Sequence, residues 1–91
     1  MEVSVLGVDL GKNICSVVGL DATGAVVLRR RAKRETLIAL AARLRPCVVA
    51  MEACCGAHYL GRVFAGHGHD VRLMSLNEIH VGGAPHHVPA G

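Results

Sequence analysis

Two apolar segments of the sequence each end in a carboxylate. Residues 3–9 end at Asp9, and residues 47–52 end at Glu52. Because an unpaired charge in apolar surroundings is costly, each acid must lie at a rim, pair with another group or bind a cation. Two carboxylates at the ends of adjacent strands suit a hard cation such as Mg²⁺, which prefers oxygen ligands. Asp9 and Glu52 are therefore the candidate catalytic and metal-binding residues, with Mg²⁺ or Mn²⁺ as the expected, weakly held cofactor.

A cluster of basic side chains is the second feature of the sequence that could have a function. Five of six consecutive positions are basic: Arg29, Arg30, Arg31, Lys33 and Arg34. Such a cluster is typical of a surface that contacts phosphates of a nucleic acid. It is equally typical of a strand end and loop exposed to water. Tyr59 and Phe64 are the aromatic residues of the chain, so an extended platform for stacking bases is not expected.

The composition predicts one small domain. The chain has 91 residues, of which 52% are hydrophobic, and a net charge of +3. That apolar content is high for so short a chain, so we expect a piece of a larger protein. The four cysteines lack the spacing of metal ligands and favour a reducing, cytoplasmic location. No basic leader and no apolar run of membrane length is present, so no membrane partner is expected.

The hydrophobic pattern predicts an α/β fold with a mixed sheet. Residues 21–24 are a turn sequence, so the first three strands are expected to be antiparallel neighbours. Two amphipathic helices then alternate with two strands, which predicts crossover connections on a sheet. The predicted strands are 3–9, 13–20, 25–30, 47–51 and 70–76, and the predicted helices are 35–45 and 57 to the glycines at 66 and 68. The continuous apolar run 47–51 predicts a strand covered on both faces.

The order of these motifs resembles a known family. The motifs are Gly-Val-Asp-Leu-Gly-Lys, the turn Asp-Ala-Thr-Gly, an Ala/Leu-rich helix, Val-Val-Ala-Met-Glu-Ala-Cys-Cys-Gly-Ala-His-Tyr and Gly-His-Asp-Val-Arg. Residues 4–76 are similar to the N-terminal RuvC-like domain of the DEDD insertion-sequence transposases, which are related to the Piv and MooV invertases. The resemblance implies an RNase H-like fold and a tetrad of Asp, Glu, Asp and Asp that holds divalent metal. By position, Asp9 resembles the first acid and Glu52 the second.

The sequence departs from that family after the fifth strand. Residues 1–76 are expected to form the partial domain, and residues 77–91 an irregular tail rich in glycine and proline. Glu78 matches neither of the two missing aspartates. The 91 residues also contain no segment that resembles the family's later domain, which carries a serine nucleophile. The chain therefore resembles a truncated or frame-shifted transposase that is inactive alone. The resemblance implies DNA as partner and, for a complete protein, a structured guide RNA and an oligomer.

Three other interpretations fit parts of the sequence. A phosphate-binding lobe of the actin and sugar-kinase class shares the strand order and the motif Asp-x-Gly, although Lys12 and Asn13 stand where a hydroxyl is usual. A zinc site would need ligands from Cys54, Cys55 and the histidines, which lack paired spacing. A non-catalytic nucleic-acid-binding fragment is the third. Binding of ATP without affinity for DNA would favour the first, and DNA binding without metal would favour the last.

Overall fold

The computed structural model describes residues 2–54, 56–74 and 86–88. These residues form six strands and two helices. In chain order the elements are β1 (Val5–Leu10), β2 (Cys15–Leu20), β3 (Val26–Ala32), α1 (Arg34–Arg43), β4 (Val48–Glu52), α2 (Ala57–Gly66), β5 (Asp70–Met74) and β6 (His86–Val88).

The strands form one mixed sheet in the order β3-β2-β1-β4-β5-β6. The pairs β1/β2 and β2/β3 are antiparallel, whereas β1/β4 and β4/β5 are parallel. The predicted α/β class and mixed sheet are confirmed. Strand β6 pairs antiparallel with β5, so the prediction of an irregular tail does not hold for His86–Val88, whose backbone forms ladder hydrogen bonds. The other residues from 75 to 91 lie outside the described part.

The core lies between one face of the sheet and both helices. Alternate strand residues point into it, among them Leu6 and Val8 of β1 and Val49 and Met51 of β4. Helix α1 contributes one buried stripe, and α2 contributes another that includes the fully buried Phe64. This is the expected consequence of a period of two in strands and of 3.6 in helices. The helical side is called the packed face below.

The opposite side, called the open face below, is not covered by any helix of the described residues. Its apolar side chains are half-buried rather than buried, as the alternation of buried and half-buried residues along β4 illustrates. Residues 47–51 were predicted to form a strand covered on both faces, whereas the described residues bury only one face of β4. Val48 and Ala50 are small enough to be tolerated there, and a continuous apolar run does not reveal how many faces are covered.

The end of β3 and both ends of α1 differ from the predicted boundaries. Strand β3 continues through Arg31 to Ala32 instead of ending at residue 30, because each of its arginines pairs with β2. Helix α1 spans Arg34–Arg43 instead of 35–45, and Leu44 is already extended with φ −80° and ψ 147°. The helix therefore ends before Arg45, the residue that Pro46 biases against helical geometry.

The turn between β2 and β3 is built by Asp21. One carboxylate oxygen, Oδ1, accepts hydrogen bonds from the Thr23 hydroxyl (2.7 Å) and from the N–H groups of Thr23 (2.9 Å) and Ala25 (3.0 Å). Gly24 has φ 87°, a conformation that other residues rarely adopt. The turn predicted for residues 21–24 is thus confirmed. The Thr23 hydroxyl, followed by the backbone donors, holds the pKa of Asp21 below its ordinary value.

Stability should therefore depend on the ionisation of Asp21 at acid pH. A carboxyl whose pKa is lowered by folding stabilises the fold above its unfolded pKa, and this contribution is lost as pH falls through the folded pKa. Asp21→Asn keeps an acceptor oxygen but removes the titration. Urea midpoints measured between pH 6 and pH 2 should fall less steeply in Asp21→Asn than in the wild type. Glu35→Gln is the control, and an equal change in both variants would contradict the prediction.

Candidate metal and nucleic-acid site

Asp9 and Glu52 lie side by side at the carboxyl ends of two parallel strands. The parallel register pairs Val8 with Met51, so Asp9 and Glu52 occupy the next equivalent positions. Val8 and Met51 are buried in the packed face, and because side chains alternate along a strand, both acids project from the open face. Both are exposed. Neighbouring strands are about 4.8 Å apart, which is close enough for two carboxylates to share one cation.

A row of residues crosses the open face at the level of the two acids. Ser16 of β2 pairs with Asp9 on one side and with Arg31 of β3 on the other, and Glu52 pairs with Met74 of β5. The row is therefore Arg31, Ser16, Asp9, Glu52 and Met74. A shallow pocket of about 470 Å³ lies over its middle, and its walls include Ser16, Asp9, Glu52 and Met74. Its floor is apolar and built largely from small residues such as Gly7 and Ala50.

The described residues supply two acids to this site and no more. Among residues 2–54 and 56–74, no group of three His, Cys, Asp or Glu side chains could hold a metal ion. Asp70 begins β5 and pairs with Val48, so it lies at the opposite end of the sheet from Glu52. Asp21 is in the distant turn, and Glu78 lies outside the described part. The donor chemistry fits a hard cation, but two carboxylates would leave most of its coordination to water.

The five predicted phosphate-binding cations do not share one face. Arg29 and Arg31 alternate with the buried Leu28 and Ala32, so they project from the open face, as the two acids do. Arg30 projects from the packed side of this edge strand, where it remains exposed. Lys33 and Arg34 follow at the beginning of α1. The sequence did not reveal this division, because β3 was predicted to end at residue 30 and no face could be assigned to Arg31.

The carboxyl edge of the sheet is nevertheless rich in cations. Strand β3 runs in the same direction as β1 because both are antiparallel to β2, so its last residues lie at the edge that carries Asp9. The Arg34 guanidinium reaches across this edge to the loop after β4. Its Nη1 atom lies 3.1 Å from where a Cβ atom of Gly56 would be. Gly56 has φ 88° and precedes α2, so the loop after Glu52 has both a left-handed residue and an arginine packed upon it.

His69 is a structural residue that the sequence did not distinguish from its exposed neighbours. It is 5% exposed. Its Nδ1 accepts a hydrogen bond from the Cys47 N–H (3.1 Å), and its Nε2 lies 2.7 Å from the Ala41 carbonyl oxygen. These partners require a neutral ring with its proton on Nε2, which donates to Ala41. Burial raises the pKa of the Cys47 thiol, whose sulfur lies 3.6 Å from Nδ1.

The hydrogen bonds of His69 argue against the interpretation of a zinc site. His69, one of its predicted ligands, uses both ring nitrogens in hydrogen bonds that connect the end of α1 to the start of β4. Cys54, His58 and His67 are exposed. Among the described residues, these side chains form no group of three that could hold a metal ion. Cys55 and the side chains of His86 and His87 lie outside the described residues.

Neither helix of the described residues has the length and apolar character needed to span a membrane.

Sheet and site together define an α/β domain with a pair of adjacent carboxylates on an open sheet face. The chain is 41% identical over 74 residues to the transposase for insertion sequence element IS1328 of Yersinia enterocolitica, a match that covers 81% of this chain and 22% of the relative. It is 44% identical over 75 residues to a probable family 20 transposase of Pseudomonas aeruginosa, with 82% and 22% covered.

A third relative is the transposase for insertion sequence element IS1111A of Coxiella burnetii. It is 38% identical over 78 residues, which are 86% of this chain and 21% of the relative. The chain therefore spans about a fifth of the length of the curated relatives it matches. No family model matches the chain, and no solved structure matches it.

Proposed function

We propose that this chain is part of an insertion-sequence transposase and contributes two acids to its divalent-metal site. The observation that carries the proposal is the placement of Asp9 and Glu52 on one face, at equivalent positions of two parallel strands. The names of the relatives support the transposase assignment, since all three are named as transposases, one of them as a probable transposase. On this proposal the partner is DNA, and residues 1–76 correspond to the amino-terminal part of the catalytic domain.

We further propose an RNase H-like, RuvC-like architecture. Its support is the strand order, in which an antiparallel β1-β2-β3 unit is followed by two parallel strands on the other side of β1. That order is shared with the actin and sugar-kinase lobes. The acid pair favours the transposase interpretation, because the actin and sugar-kinase lobes lack a glutamate in the place of Glu52. For a protein of the relatives' length, the resemblance also implies a guide RNA and an oligomer.

Asp9 and Glu52 would hold Mg²⁺ or Mn²⁺ through carboxylate oxygens. A bound ion supplies a Lewis acid that polarises a phosphoryl oxygen of DNA. Without a cation, the two carboxylates repel each other and any incoming phosphate. The residues of the chain position this charge: the parallel register holds the acids side by side, and the small side chains of Gly7 and Ala50 leave the face accessible. The described residues supply two acids, and strand cleavage needs paired ions, so we expect no nuclease activity from the 91-residue chain by itself.

Binding of Mn²⁺ tests this proposal without relying on activity. The wild-type chain should bind Mn²⁺ weakly, and Asp9→Asn or Glu52→Gln should each weaken binding by about tenfold or more, because each substitution removes one of two charged ligands. Electron paramagnetic resonance of free Mn²⁺ measures the bound fraction. Asp21→Asn is the matched control, since it removes one carboxylate in a distant turn.

The outcomes of the binding experiment separate the alternatives. Equal binding by the wild type, Asp9→Asn and Glu52→Gln would overturn the shared-ion proposal. Binding of ATP, with no binding of DNA, would support the kinase-like lobe instead. DNA binding that is unchanged by EDTA in a chain that binds no Mn²⁺ would support a non-catalytic nucleic-acid-binding fragment.

A further inference from the structure

We propose that Arg29 and Arg31 hold two successive phosphates of a DNA single strand that runs along β3 on the open face, beside the strands that carry Asp9 and Glu52. The proposal rests on the proposed transposase function and names how its substrate would be positioned. Arg30, which lies between them in the sequence, does not take part. The distinction follows from the register of β3.

The register places the two arginines in two different rows of the open face. Arg31 pairs with Ser16, which pairs with Asp9, so Arg31 lies two strands from the acid. Arg29 pairs with Val18, which pairs with Gly7. Two rows are separated by two residues along a strand, which is about 6.8 Å. That separation is comparable with the distance between successive phosphates of a nucleic-acid strand.

Both guanidinium groups are available for a ligand. The two arginines are exposed, and neither forms an ion pair within residues 2–54 and 56–74. Arg72, which projects from the same face on β5, is instead paired with Asp70 at 2.9 Å. Within the part of the chain that the structure describes, the positive charge without a partner on this face is therefore concentrated along β3. Since arginine presents a planar fork of donors, it suits phosphate oxygens better than a point charge does.

The centre of the open face has room for a strand beside these arginines. Gly7 and Ala50 are neighbours in the register, and with Val18 they line the shallow pocket. Their small side chains keep the floor low between the arginines of β3 and the acids. A phosphate held by Arg31 would lie beside Ser16, adjacent to the carboxylates. The arginine charge would offset the repulsion between those carboxylates and the backbone of DNA.

A pair of double variants with equal net charge tests the proposal. In the 91-residue chain, Arg29→Gln with Arg31→Gln removes both open-face cations. Arg30→Gln with Arg43→Gln removes two exposed cations elsewhere and is the matched control. Binding of a fluorescent single-stranded DNA oligonucleotide is measured by anisotropy at several salt concentrations in EDTA. Loss of two phosphate contacts should reduce the magnitude of the slope of log K against log salt by about 1.4 for single strands.

The expected result is that the Arg29/Arg31 variant shows this reduction of the slope and the Arg30/Arg43 variant does not. Equal changes in both variants would show that only total charge matters and would overturn the proposal, as would an unchanged slope in both. An RNA of the same sequence that binds tenfold more tightly than the DNA would overturn the assignment to DNA. Circular dichroism melting of each variant confirms that it is folded.

Failure of this proposal can be distinguished from failure of the proposed metal site. The DNA experiment contains no metal, whereas the Mn²⁺ experiment contains no DNA. If Asp9→Asn loses Mn²⁺ and the Arg29/Arg31 variant keeps its salt slope, only the strand path is wrong. If the salt slope is reduced in the Arg29/Arg31 variant and Mn²⁺ binding is insensitive to Asp9, the DNA contact stands and the metal site is wrong.

Discussion

Replacing His69 by leucine should lower the free energy of unfolding by about 1 to 3 kcal/mol, because two buried backbone groups lose a hydrogen bond, and only one of them still accepts another, from the Leu44 N–H at 3.3 Å. These groups are the Cys47 N–H and the Ala41 carbonyl, which His69 connects at 3.1 Å and 2.7 Å. Domains of this size are stabilised by roughly 5 to 14 kcal/mol in total. Urea denaturation at neutral pH measures the change.

Two further variants divide the effect between the two bonds. The amide oxygen of His69→Asn can replace Nδ1 as the acceptor for Cys47, and the amide N–H of His69→Gln can replace Nε2 as the donor to Ala41. Each should lose less stability than leucine. His67→Leu is the control, because His67 lies two positions away and is exposed. A loss in His67→Leu as large as that in His69→Leu would contradict the assigned role of the buried ring.

Replacing Gly11 by alanine should destabilise the hairpin between β1 and β2 and displace Asp9. A Cβ atom at Gly11 would collide with the backbone carbonyl oxygen of Ile14. Because backbone atoms form this contact, no side-chain rotation relieves it, and the strand end must move. Forced repacking of this kind costs about 1 to 3 kcal/mol or more. We expect a lower urea midpoint and weaker Mn²⁺ binding in the same variant.

Gly66→Ala is the control for the Gly11 variant. No atom lies within 4 Å of the position where its Cβ would be. Because Gly66 is the last residue of α2, alanine there should leave stability within about 1 kcal/mol of the wild type. A Gly11→Ala chain that is as stable as Gly66→Ala and binds Mn²⁺ normally would show that the hairpin has more freedom than its geometry indicates.

The role of Gly11 could not be predicted from the sequence. The dipeptide Gly11-Lys12 predicts a short connection between two strands, and β1 and β2 do form a hairpin. The reason for glycine, however, is the approach of a carbonyl three residues later, which depends on the exact path of the turn. The same applies to His69, because its two partners are 22 and 28 residues away.

Local patterns were enough to predict the elements that carry the site. The apolar segments that end at Asp9 and Glu52 predicted two strands, and a helix between strands predicted a parallel crossover. Both follow from the periodicity of a few neighbouring residues, and periodicity acts over short distances along the chain. The turn at residues 21–24 was predictable for the same reason, since Asp21 and Thr23 bond within the turn itself.

Tertiary structure alone decided which residues share the face of the acids. Side chains alternate along a strand, so a shift of one residue in strand extent or register moves a side chain to the opposite face. The cluster Arg29–Arg31 is contiguous in sequence, but pairing with β2 divides it between two faces. The pairing of β1 with β4, which the crossover helix led us to expect, brings Asp9 beside Glu52, but its exact register is set by contacts across 43 positions of the chain. Such placement depends on long-range contacts, and for that reason the sequence determined the strands and their acids while the sheet determined the site.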